Sequence, residues 1–206
     1  MSPISPMSPM SPIQAIKADL RAAMNGVASK AIRESGMGYK LAFGVELPRL
    51  HEIAAAYTPG RRLALELWQE DIRECKMLAI MLFPQEEFDR DIADLWISSL
   101  RPEQAELAQL MVLDRLSKMS DSSELAFLWM ANEHPLFQLC GFLLVNRLLM
   151  QGAQFSPDAE AEFLDQATAT LPSPFLPLRK AVSNALFRYG ESSPEAARRA
   201  KPILEV

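Results

Sequence analysis

Apolar residues recur along this chain at three- and four-residue intervals, the spacing that places side chains on one face of a helix. The first such run begins at Ser11-Pro12, a capping residue followed by a helix-opening Pro, and carries Ile13, Ile16, Leu20, Met24 and Val27. It predicts a helix over 12–35, stopped by Gly36 and Gly38. The stretch 36–48 (GMGYKLAFGVELP) breaks the periodicity and reads as a loop. From Pro48 the chain alternates short periodic runs with Pro, Gly or Ser breaks. Helices are expected near 48–57, 63–68, 71–82, 85–99, 102–118, 122–132, 135–151, 157–171, 175–189 and 194–204. Ser156-Pro157 and Ser193-Pro194 repeat the cap-then-Pro start. No run alternates apolar and polar residues, so no sheet is expected.

Three of these runs share a phrase: Leu67-Trp68, Leu95-Trp96 and Leu128-Trp129 lie 28 and 33 residues apart. Apolar residues precede each pair by three and four positions: Ala64 and Leu65, Ile92 and Ala93, Leu125 and Ala126. Each pair therefore closes an apolar stripe, and the spacing is near that of helical repeats that stack face on face. The expected fold is all-α, an α-solenoid of about ten helices, each Trp packed between neighbouring repeats. A solenoid works by presenting a concave binding face.

The length of 206 residues suits one domain, expected over 12–206 behind a Ser-Pro-rich tail at 1–11 (MSPISPMSPMS). Met7 and Met10 each restart the phrase of that tail and offer alternative starts. There is no basic-then-apolar run of a signal peptide, and the apolar stretch 139–150 is interrupted by Asn146 and Arg147. Cys75 and Cys140 fall inside apolar helical patterns, where a thiol acts as a small hydrophobe, and a cytoplasmic setting is expected.

Net charge is −5, which excludes a surface built throughout for polyanions, but the charge is unevenly spread. Residues 66–133 carry a net of −9, with the cluster Glu86, Glu87, Asp89, Asp91 and Asp94 read as a solvated helix face. Residues 175–201 carry a net of +4, with Arg179, Lys180 and Arg188 the candidates for phosphate contact. Tyr39, Lys40 and Phe43 in the long loop are the other candidates for a ligand. His51 and His134 have no carboxylate, Cys or His at ligand spacing, so neither metal nor cofactor is expected, and His134-Pro135 reads as a helix start. No phosphate-binding glycine motif and no GxSxG is present.

The phrase Phe43-Gly44-Val45-Glu46-Leu47-Pro48-Arg49-Leu50, followed by LALELWQEDIRECKMLAIML (63–82), resembles the bacterial DNA-alkylation-repair glycosylases built from HEAT-like repeats. Residues 137–144 (FQLCGFLL) and 178–186 (LRKAVSNAL) fit the same repeats, and the resemblance spans roughly 12–204. It implies a HEAT-like helical repeat superhelix and excision of positively charged alkylated bases from duplex DNA. In such a site a carboxylate stabilises the oxocarbenium-like sugar while tryptophans pack about the lesion.

The resemblance places a Trp at Glu103, an Asp at Leu107, an Arg at Leu139 and a second Trp at Asn184, so all four positions depart from the pattern. Glu106 lies one residue from the Asp position, a step of about 100° around a helix, which turns it away from the cleft. The sequence therefore reads as a divergent member of that family, binding DNA with weak or no base excision. A protein-interaction scaffold and a glycosylase using other residues are the alternatives. Duplex DNA, or another protein on the concave face, is the expected partner, with no membrane.

Overall fold

The computed structural model describes residues 10–205, so the expected tail lies outside it except for Met10 and Ser11. Among these residues there are twelve α-helices and three one-turn 3-10 segments, with no strand beyond an isolated parallel bridge between Leu41 and Ile72. The fold is all-helical, as the periodicity predicts. No helix among the described residues is long and apolar enough to cross a membrane. The helices fall into two compact units, divided between Phe88 and Asp89.

The first unit holds α1 (Pro12–Ala22), α2 (Gly26–Glu34), α3 (Leu47–Ala55), α4 (Arg61–Gln69) and α5 (Arg73–Leu82). The helix expected over 12–35 is broken at Asn25, whose side chain accepts from the N–H groups of Val27 and Ala28 at 3.1 Å and caps α2. The break ends the shared face. Ile16 and Leu20 are fully buried, whereas Met24 and Val27 face solvent.

The second unit holds α6 (Arg90–Ser98), α7 (Ala105–Asp114), α8 (Ser122–Met130), α9 (Pro135–Met150), α10 (Pro157–Thr170), α11 (Leu176–Gly190) and α12 (Pro194–Leu204). Helix α9 is its spine, packing on α7, α8 and α11. His134 caps it, its Nδ1 accepting from the Leu136 N–H. A Cβ on Gly141 would stand 2.4 Å from the backbone nitrogen of Met130, so only Gly permits α8 and α9 to lie this close. Ala is the better helix former by about 1 kcal/mol, but backbone atoms cannot yield as a side chain would, and overpacking costs about 3 kcal/mol. Gly141→Ala is therefore expected to lower stability by about 2 kcal/mol net. A urea denaturation midpoint at or above that of the wild type would refute this packing.

Trp68, Trp96 and Trp129 are all buried, as framework residues should be. Their Leu partners behave differently. Leu67 is fully buried, while Leu95 and Leu128 are 62% and 44% exposed. In α6 and α8 the buried stripe runs Ile92, Ala93, Trp96, Ile97 and Leu125, Ala126, Trp129, Met130, which leaves the preceding Leu about 100° outside it. The repeated element is thus the Trp and the pair before it.

Candidate nucleic-acid interface

Helix α11 opens with Pro177 in its first turn and buries Leu178, Ala181, Val182, Ala185, Leu186 and Tyr189. That stripe fixes its rotation. Tyr189 meets the Phe163 ring of α10 edge-on at 5.5 Å, and its hydroxyl donates to Glu160. Arg199 of α12 donates to the other oxygen of Glu160 at 2.5 Å, joining α10, α11 and α12 through one carboxylate. Burial, then the Glu160 carboxylate, pushes the Tyr189 hydroxyl up to about 12, so it stays a donor.

With that face turned inward, α11 presents Arg179, Lys180, Ser183, Asn184, Phe187 and Arg188 on the other side. The ends of α10 and α12 frame the first part of this surface and leave a concavity of about 500 Å³. Leu171, Ile203 and Leu204 supply its apolar lining, and Arg179, Lys180, Ser183 and Asn184 its polar one. Among the described residues no carboxylate lines it. Arg179 donates to the Ser173 carbonyl at 3.5 Å, and neither it nor Lys180 has a carboxylate partner among the described residues. Arg188 does: it donates to Glu191 at 2.8 Å on the solvent side. The structure thus brings together Arg179, Lys180 and Asn184, and sets Arg188 one turn beyond.

The other expected positions lie elsewhere. Leu107 on α7 and Leu139 on α9 are completely buried core residues, while Glu103 is exposed in the 3-10 turn Pro102–Gln104. Glu106 is half-buried. Of the acidic cluster, Glu86, Glu87, Asp89 and Asp91 are exposed, and Asp89 caps α6 by accepting from the Ile92 N–H at 2.9 Å.

Tyr39, Lys40 and Phe43 belong to the first unit, in a loop whose contacts are internal. Leu41 pairs with the chain on either side of Ile72, through the carbonyl of Asp71 and the N–H of Arg73. The carboxylate of Glu74, fully buried, accepts from the N–H groups of Phe43 and Gly44 at 2.9 Å and of Val45 at 3.3 Å. Arg73 balances its charge at 3.2 Å. Gly44 has φ +72°, and a Cβ there would fall 2.4 Å from the Ser29 nitrogen. The Phe43 ring is buried, which removes it from any solvent-side ligand; Tyr39 is half-buried and Lys40 exposed. Burial also pushes the Cys75 thiol up to about 12 and raises that of Cys140 beyond the usual range, leaving both protonated.

A sequence model of the DNA alkylation repair enzyme family matches residues 16–200. The chain belongs to that family. A solved structure described as coming from "a new family of proteins related to the HEAT-like repeat DNA glycosylases with affinity for branched DNA structures" superposes with a TM-score of 0.74. It is 20% identical, and the match covers 92% of this chain and 80% of the other, so the two share the HEAT-like repeat fold. No curated protein matches the chain.

Proposed function

We propose that this member of the DNA alkylation repair family binds DNA through the outer face of α11, with base excision weak or absent. The observation that carries the reading is the pair Arg179 and Lys180, which among the described residues have no carboxylate partner and stand at a concavity lined by no acidic side chain. Cations so placed neutralise backbone phosphates and release condensed counterions. Arg188 adds a third contact when phosphate exchanges for Glu191, since an exposed ion pair of this kind is worth only about 0–1 kcal/mol. Tyr39 and Lys40 carry no part of the proposal. The affinity for branched DNA of the similar solved structure's family supports extending DNA binding to this chain.

Weak or absent excision rests on Leu107 and Leu139, apolar and buried where the family pattern places Asp and Arg. Neither can stabilise a developing sugar cation or hold a phosphate. Incubation with duplex DNA carrying N-alkylated purines is expected to yield bound DNA and no free base above a protein-free control. Base release would restore the glycosylase reading. No binding to that DNA at low salt would remove the DNA reading and leave the scaffold.

A further inference from the structure

We propose that Phe187 is a stacking platform for unpaired nucleotide bases, so that the α11 face prefers DNA containing single-stranded segments to uninterrupted duplex. The proposal rests on the DNA-binding reading above and adds to it the kind of DNA that fits.

Phe187 is 61% exposed on a helix whose other aromatic residue, Tyr189, is buried. Its ring packs on no other ring and no cation among the described residues. It stands one helical turn beyond Ser183 and Asn184 and two turns beyond Lys180 and Arg179, on the same side of α11. Glu191, one turn further along the chain, is paired with Arg188 in the DNA-free protein.

An apolar ring alone on a surface suggests little. A ring in line with unpaired cations has a defined complement. Single-stranded nucleic acid offers the two chemistries together: phosphates for Arg179 and Lys180, and a base face for the ring. Seven residues of helix rise about 10 Å, a separation between cations and ring that a short unpaired strand of a few nucleotides spans. Duplex DNA gives its phosphates to the same cations but keeps its base faces covered by neighbouring pairs. A forked or gapped DNA exposes them.

The test compares the full chain with Phe187→Ala, Phe187→Leu and Phe187→Trp on a blunt duplex and on a fork with two unpaired arms. Affinity is read by fluorescence anisotropy at fixed low salt. Phe187→Ala and Phe187→Leu are expected to weaken fork binding by about 5- to 100-fold, the value of one base stack. Duplex binding should change less than about twofold, and Phe187→Trp should retain fork affinity. A 2-aminopurine in the unpaired arm should be quenched by the wild type and not by Phe187→Leu. An unchanged Tm will show that removing an exposed ring leaves the fold intact. Equal affinity of wild type and Phe187→Ala for the fork would overturn the stacking role, while duplex binding that still depends on Arg179 and Lys180 would preserve the DNA reading. No DNA binding by the wild type would overturn both and leave the face to a protein partner.

Discussion

Glu74→Ala is expected to lower the stability of the first unit by about 3–5 kcal/mol, the range for breaking a buried ion pair by removing one partner. The carboxylate is fully buried and accepts from three consecutive backbone N–H groups, at Phe43, Gly44 and Val45. An orphaned buried donor costs about 1–3 kcal/mol, and Arg73 would lose the charge it balances. Water entering the space left by the side chain offsets part of the sum, which is why the total stays below three full penalties. Measured against typical domain stabilities of about 5–15 kcal/mol, the loss is large. Glu74→Gln keeps the shape and one acceptor oxygen, so its cost should be smaller. Thermal or chemical denaturation that puts Glu74→Ala within about 1 kcal/mol of the wild type would contradict the pinned-loop account.

The second large effect concerns binding. Reversing both cations, as Arg179→Glu with Lys180→Glu, should reduce duplex affinity by about 100-fold at about 0.01 M salt, where the screening length is about 30 Å. Each reversal turns an attraction to phosphate into a repulsion of similar size. Both side chains are exposed, and Arg179 gives up only one hydrogen bond, at 3.5 Å, so folding should be unaffected. The same reversal at Arg61 and Arg62, each paired with a glutamate in the first unit, should change affinity little and serves as the control. Equal losses in the two variants would point to net charge rather than to the α11 face.

Much of the helical frame was legible in the residues themselves. The register of Cys75, Leu78, Ala79 and Leu82 predicts α5, and each of the four is buried. The burial of all three tryptophans follows from the apolar residues three and four positions before them. Local chemistry that competes with periodicity was harder to see. Met24 and Val27 continue the stripe of α1 in sequence, but Asn25 caps a new helix and turns both outward. Glu74 shares a helix face with Leu78 and Met81, a signal that this acid is interior. What it binds lies 29 to 31 residues earlier, beyond the reach of any local pattern.

The site divides in the same way. Charge composition alone picked out Arg179 and Lys180, because six basic groups gather between residues 175 and 201. That neither has a carboxylate partner among the described residues could not be read there, and neither could the pairing of Arg188 with Glu191. Phe187 falls outside the buried stripe formed by Leu178, Ala181, Val182, Ala185, Leu186 and Tyr189. That stripe is visible in the sequence, and setting it beside the basic residues would have marked Phe187 as exposed. The long loop misled for a physical reason. A segment of irregular backbone must satisfy its polar groups somewhere, and this one does so on Glu74, Ser29 and Asn25.

The most direct test is the salt dependence of duplex affinity, measured for the wild type and for Arg179→Ala with Lys180→Ala. Each phosphate contact contributes about −0.9 to the slope of log affinity against log salt. The wild type should bind at low salt and weaken steeply as salt rises, and the double variant should give a slope shallower by about 2. Parallel lines for the two proteins, or no duplex binding by the wild type at low salt, would contradict the account.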